Sequence, residues 1–263
     1  MVFSRPGLQQ KAVVVKKLLP LSGIVLLLLV WQGSVTLTGA MIVPGPLAVL
    51  AGIVELARKG LLHKYVVASL YRVTWGYLLA AVVAIPVGLM LGWYGRGEKA
   101  FNPLLQVLRP ISPLAWIPVS ILWFGVGDLS AVFLIFLASF LPLCVTSMTA
   151  VRNIAAVHIN AGRNFGLSHI QLVKRVIYPA VMPQLIVGMR ITLGVAWLVV
   201  VAAEMIAVNS GLGFLIIDAR NAGNRYDLVV AGMVMIGITG LILDLGMRRL
   251  EKLKSLRWGY GRA

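Results

Sequence analysis

Asn160-Ala161-Gly162-Arg163-Asn164-Phe165-Gly166-Leu167-Ser168-His169-Ile170-Gln171-Leu172-Val173-Lys174-Arg175-Val176-Ile177-Tyr178-Pro179 lies between two long apolar runs, yet is itself too polar to cross a bilayer. Upstream of it, Ile154 and Val157 join Ala161 and Phe165 at helical spacing, which predicts a short helix with one apolar stripe. Gly166 falls where a helix end often needs a left-handed residue, a conformation that glycine adopts without steric cost. Ser168 then reads as an N-cap with Gln171 three residues on, a capping box, and Leu167 and Leu172 occupy the hydrophobic-staple positions around it. Pro179 has no N–H to donate and disfavours helical geometry just before it, so the second helix should stop there. Residues 152–180 are thus predicted to form a helix–Gly–helix elbow at a membrane face.

The chain around this elbow is that of a membrane protein. Of its 263 residues 60% are hydrophobic and only 12% charged, with a mean hydropathy of +0.93. Soluble domains carry roughly 25% charged residues. The formal charge of +16 invites a nucleic-acid reading. The basic residues, however, punctuate the ends of apolar runs and are not clustered with aromatics on one solvated face. Cys144 is the only cysteine, so no disulfide framework is available. No His, Cys and carboxylate cluster has metal-ligand spacing. The whole of 1–263 reads as a single all-α transmembrane domain.

Outward from the elbow, six apolar stretches approach the about 20 residues that a helical span needs. They cover residues 18–36, 66–93, 103–124, 129–151, 181–208 and 228–247. The second holds Pro86, a predicted kink, and Ala84, Gly88 and Gly92 four apart, a small-residue stripe that lets another helix approach closely. Pro110, Pro113 and Pro118 break the third, which should therefore be buried in protein or line a wet path. Residues 36–65 (with the rigid turn Pro44-Gly45-Pro46), 94–102 and 209–227 are predicted to be loops.

If the spans alternate with both termini inside, inside segments hold seventeen of the 24 Lys and Arg residues, and outside segments hold five. Arg72 and Arg190 lie within spans. That bias places the elbow, with Arg152, Arg163, Lys174 and Arg175, in the cytoplasm.

The elbow also carries a resemblance. Asn160-Ala161-Gly162, three residues, Gly166, nine residues and Val176-Ile177-Tyr178-Pro179 resemble the EAA coupling motif of ABC-importer permeases. That motif reads Glu-Ala-Ala, three residues, Gly, nine residues, Ile-x-Leu-Pro. The chain keeps the alanine, glycine and proline, and departs at Asn160, Gly162 and Tyr178. Two further stretches are similar to the nitrate, sulfonate, taurine and bicarbonate branch of that family. One runs from Gln106 through Arg109-Pro110-Ile111-Ser112-Pro113 to Trp116-Ile117-Pro118 and Leu122-Trp123-Phe124-Gly125. The other comprises Gly188-Met189-Arg190, Gly194-Val195-Ala196-Trp197, Ala202-Ala203-Glu204-Met205 and Gly211-Leu212-Gly213.

The resemblance implies a type I importer permease, multi-pass in the bacterial cytoplasmic (inner) membrane. Its expected partners are a second copy of itself, two cytoplasmic ABC ATPase subunits, a periplasmic or lipid-anchored solute-binding protein and membrane lipids. The chain itself would be non-catalytic and bind no cofactor, ATP and Mg being used by the ATPase subunits. Asn160, Ala161, Gly162, Phe165, Gly166, Val176 and Pro179 would couple the elbow to an ATPase. A secondary carrier would need coupling-ion sites, usually intramembrane acids, and mid-span acids are nearly absent.

For the translocation path the candidates are Arg190, Trp116, Trp197 and Glu204. Arg190 lies about ten residues, or roughly 14 Å, into its span. There it either attracts a small oxyanion through its bidentate fork, or snorkels and pairs within the domain. Glu204, near the outer end of the same span, suits a hydrogen-bonding or gating role. The two tryptophans line a cavity or pack at interfaces. His158 and His169 read as surface contacts.

Overall fold

A computed structural model of the chain describes residues 22, 23, 25–37 and 44–251, the side chains of 96–98 and 102 aside. Residues 18–21 and 24 of the predicted first span, the basic residues 5, 11, 16 and 17, and the basic residues 252, 254, 257 and 262 lie outside the described residues. The order of helices is α1 Val25–Leu37, α2 Pro46–Arg58, α3 Leu61–Trp93, α4 Gly95–Leu108, α5 Ile117–Phe124, α6 Asp128–Arg152, α7 Ala156–Asn164, α8 His169–Leu172, α9 Tyr178–Glu204, α10 Leu212–Asn221 and α11 Tyr226–Glu251. A 3₁₀ turn, Pro113–Trp116, leads into α5, and a π-helical turn, Val173–Ile177, joins α8 to α9.

Among the described residues four helical stretches are long and apolar enough to cross a membrane: Leu61–Trp93, Asp128–Arg152, His169–Glu204 and Tyr226–Glu251. A fifth arises if Lys99–Leu108 and Pro113–Phe124, bent by 82°, count as one broken span. The bend falls on Arg109–Ser112, where Pro110 and Pro113 each remove a backbone donor. Part of this span is not covered by the chain itself: Leu122, Trp123 and Phe124 are exposed. Within one copy the proline-rich span, expected to be buried in protein or to line a wet path, is buried on one face only, at Leu105, Ile117 and Ser120.

α3, α6 and α9 form the centre. The small-residue stripe is where α3 meets α6: a Cβ on Gly88 would collide with the Cys144 carbonyl, and one on Gly92 would stand 2.5 Å from the Met148 carbonyl. Ala84 is fully buried. Further along, a Cβ on Gly76 would lie 2.7 Å from Ile135 Cβ. Such an approach gains dispersion contacts along the helix pair, the main source of association where lipid and side chain are equally apolar. α9 is tied in by the Tyr77 hydroxyl, which donates to the Met189 carbonyl at 2.8 Å.

Three predicted loops contain helices. Residues 46–58 form α2, the loop residues 95–102 begin α4, which runs on to 108 in the predicted third span, and 212–221 form α10. α3 begins at Leu61 and runs through Pro86 without interruption. α9 ends at Glu204, short of the predicted 208. At the end opposite the elbow, Arg225 bonds Glu55 of α2 and Asp227 of α11 at 2.7 and 2.8 Å. The Arg225 guanidinium, helped by Lys59, holds the Glu55 carboxyl below its ordinary range.

Candidate functional site

The elbow is built as its punctuation predicts up to Leu172. α7 ends in a Schellman motif: Gly166 N–H donates to Arg163 O at 2.9 Å and Leu167 N–H to Gly162 O at 3.2 Å. Gly166 has φ +71, the left-handed conformation, with open space around its α-carbon. The Gln171 N–H donates to Ser168 Oγ at 3.4 Å and the Ser168 N–H to Gln171 Oε1 at 3.0 Å, which completes the capping box. Gly162 is buried beneath the following turn, and a Cβ there would stand 2.6 Å from Leu172 Cδ1 and 3.3 Å from Val176 Cγ2. Glycine in place of the motif's alanine thus lets α7 sit against the start of the return helix.

Pro179 does not end that helix. His169–Glu204 runs continuously because the turn before the proline widens into a π-helix, Tyr178 N–H bonding Val173 O. Pro179 then occupies the first turn of α9, where its missing donor costs nothing. The predicted stripe also divides. Ile154, just before α7, packs against the small buried cluster that includes Val151, Ile177 and Val181. Val157 and Phe165 point away from the chain, 71% and 86% exposed, and are joined there by Ile170 at 69%. Asn160, with Arg152, Arg163, Trp93 and His169, lines a cavity of about 480 Å³ between α7 and the helix ends. Ala161 and His158 are exposed, and His169 meets the Trp93 ring edge-on at 5.5 Å.

The charges of the second and fifth predicted spans, Arg72, Glu204 and Arg190, are all paired. Glu204 is fully buried, accepting from Ser69 Oγ at 2.8 Å, Arg72 Nη1 at 2.7 Å and Gly213 N–H at 2.9 Å. Arg72, 2% exposed, also bonds Asp128 at 2.8 Å, the Ser210 carbonyl at 2.7 Å and the Ser210 hydroxyl. Ser69 in turn accepts from Leu212 N–H at 2.9 Å. One node therefore joins α3, the start of α6, the end of α9 and the start of α10. The glycines of Gly211-Leu212-Gly213 are required there: Cβ atoms on Gly211 and Gly213 would collide with the Glu204 carboxylate and the Val201 carbonyl.

Arg190 is held by α11, its Nε donating to Asp244 at 2.7 Å and its Nη1 to Glu251 at 3.3 Å. Trp197 is 6% exposed and donates its indole N–H to Ile236 O at 3.1 Å. Trp116 is half-buried against the core. Residue-by-residue reading missed the Arg72–Glu204 pair. Both residues sit near the outer ends of their predicted spans, so matching depths across spans is the signal that finds it.

The comparisons agree with this architecture. The chain is 34% identical over 243 residues to the taurine transport system permease protein TauC of Escherichia coli, across 89% of this chain and 87% of that protein. It is 34% identical over 249 residues to the bicarbonate transport system permease protein CmpB of Synechococcus elongatus, across 89% and 88%. An inward-facing structure of the MetNI methionine ABC transporter superposes with a TM-score of 0.63 at 18% identity, over 71% of this chain and 93% of that one, a likeness of fold. Residues 84–255 match the family described as binding-protein-dependent transport system inner membrane component, and this multi-pass chain belongs to that family of ABC transporter permeases.

Proposed function

We propose that two copies of this chain form the path of an ATP-driven importer for a small anion such as taurine, another sulfonate, nitrate or bicarbonate, delivered by a periplasmic binding protein. Each elbow docks in a groove of a cytoplasmic ATPase subunit. Closure of the nucleotide-bound ATPases moves the spans between inward-open and outward-open arrangements, a shift between two populations. Asn160, Ala161, Gly162, Phe165, Gly166, Val176 and Pro179 shape or present the docking surface. The ATPases supply ATP and Mg chemistry. The exposed faces of α5 meet lipid or the second copy.

The observation that carries this reading is the outward apolar face of the elbow. Val157, Phe165 and Ile170 are left uncovered around a doubly capped turn. Burying each fully is worth about 1.5–3 kcal/mol before the costs of association. The substrate class is supported by the relatives' substrates and by the scarcity of mid-span carboxylates. The test is uptake into proteoliposomes holding the whole complex. Radiolabelled taurine, nitrate and bicarbonate are offered with the binding protein, with ATP and then a non-hydrolysable analogue inside. ATP-dependent accumulation of one oxyanion, lost in Phe165→Asp together with ATPase association, is the expected result. Accumulation driven by an ion gradient without ATP overturns the reading.

A further inference from the structure

Arg109 closes α4 at the break in the proline-rich span and lines a cavity of about 210 Å³ between α4, α6 and α9. Thr146 of α6 and Thr192 of α9 line the same cavity, and Thr192 is 2% exposed. Gly188 brings the two helices together, since a Cβ there would collide with the Thr146 side chain. The cavity lies within the span bundle: Thr146 is six residues, roughly 9 Å, in from the end of α6 at the elbow. No carboxylate lines it, and among the described residues Arg109 has no ion-pair or hydrogen-bond partner for its side chain. Arg72, Arg190 and Arg225 each hold a carboxylate.

Arg109 is itself exposed, at the break between the two halves of the proline-rich span, and a guanidinium beside a span cavity without a counter-charge is costly unless water or an anion meets it. Resting on the proposed anion import, we infer that Arg109, with the hydroxyls of Thr146 and Thr192, is the anion subsite of the inner half of the path. The volume is roughly seven times the ~30 Å³ that one water occupies in the liquid, room for a small oxyanion with part of its hydration shell. A guanidinium offers two parallel N–H donors to two oxygens of such an anion, and a threonine hydroxyl donates to a third. Cations are repelled. One unpaired charge among neutral walls binds weakly enough to let the anion leave, which transport requires. Arg190, already committed to Asp244 and Glu251, serves to hold α9 on α11.

The experiment uses the assembled complex in proteoliposomes, with taurine, nitrate and bicarbonate as probes and Arg109→Ala, Arg109→Lys and Ile191→Cys as variants. Arg109→Ala should lower oxyanion uptake by roughly tenfold to a hundredfold, the loss expected for one charge-assisted contact. ATPase stimulation by the loaded binding protein should persist, and Arg109→Lys should keep part of the uptake. Ile191→Cys reports on the cavity in a Cys144→Ala background, because Ile191 lines it and is exposed. Its labelling by an uncharged maleimide should be slowed by the transported anion when Arg109 is present and unaffected in Arg109→Ala. Wild-type uptake in Arg109→Ala, or labelling insensitive to the anion in both backgrounds, overturns the subsite alone. A wild-type complex that moves no oxyanion overturns the proposed function and the subsite together.

Discussion

Glu204 and Arg72 form the ion pair most deeply withdrawn from solvent in the described chain, at 0% and 3% side-chain exposure. Removing one member of a buried pair strands the other, at a cost of about 3–5 kcal/mol, whereas apolar replacement of both is often tolerated. The two members differ here. Loss of Glu204 leaves Arg72 its bonds to Asp128 and Ser210, while loss of Arg72 leaves Glu204 only the Ser69 hydroxyl and the Gly213 N–H. Arg72→Ala should therefore destabilise more than Glu204→Ala, and Glu204→Gln least. Thermal unfolding of the purified protein in detergent checks the order; equal midpoints for all three would refute the node as a stabilising centre. The node also explains why Glu204 and Gly211-Leu212-Gly213 occur together. The glycines make the space into which the carboxylate is folded, a relation that spacing along the chain does not reveal.

At the scale of elements, legibility followed the range of the interaction. The elbow's caps are local hydrogen bonds between residues three to five apart, so Gly166, Ser168 and Gln171 announce them. Pro179 misled because the rule for proline concerns an α-helical turn. The π-turn at Val173–Ile177 removes the conflict, and nothing short-range signals it. α2, the first half of α4 and α10 fall on stretches that read as loops because glycine, proline and charge interrupt their apolar periodicity. Packing overrides that weak signal, as for Gly213 against Val201. Gly166 offers the sharper test. Its Cβ would meet nothing, so the only obstacle to substitution is φ +71, a cost of roughly 1–2 kcal/mol for an ordinary residue. Asparagine tolerates that conformation and valine does not. Gly166→Asn should keep ATP hydrolysis tied to uptake, and Gly166→Val should raise the ATP consumed per anion moved. Equal stoichiometry in the two variants would mean that the turn does not transmit force. The Glu55–Arg225 clasp adds a pH dependence. Its carboxyl is depressed when folded, so its contribution is complete above the ordinary glutamate range and fades as pH falls through the depressed value. Assays near neutrality should not detect it, whereas hydrogen exchange in α2 should rise for wild type under strong acid and not change further for Glu55→Gln.

The whole molecule is polarised along its spans, and the sense of that polarity decides the function. Gly127 N–H bonds Ala207 O at 2.9 Å, so the turn before α6 and the loop after α9 share one end, where Arg225 and Glu55 also meet. α6 leads from that end to the elbow and α9 returns from it. Of the 24 Lys and Arg residues, the elbow end and the two termini hold most, in the sequence-based topology, and lysine and arginine are retained on the cytoplasmic side. The elbow should accordingly face the cytoplasm, where an ATPase reaches it. Cys144 is the only cysteine and is 1% exposed, so Cys144→Ala gives a silent background. Asn164→Cys reports on the elbow, and Val126→Cys and Asn221→Cys on the opposite end; all three positions are exposed. In intact spheroplasts a membrane-impermeant maleimide should label positions 126 and 221 and leave 164 untouched until the membrane is permeabilised. The reverse pattern would put Phe165 and its apolar neighbours outside the cell, away from nucleotide, and no rearrangement of the spans would then let ATP drive this chain.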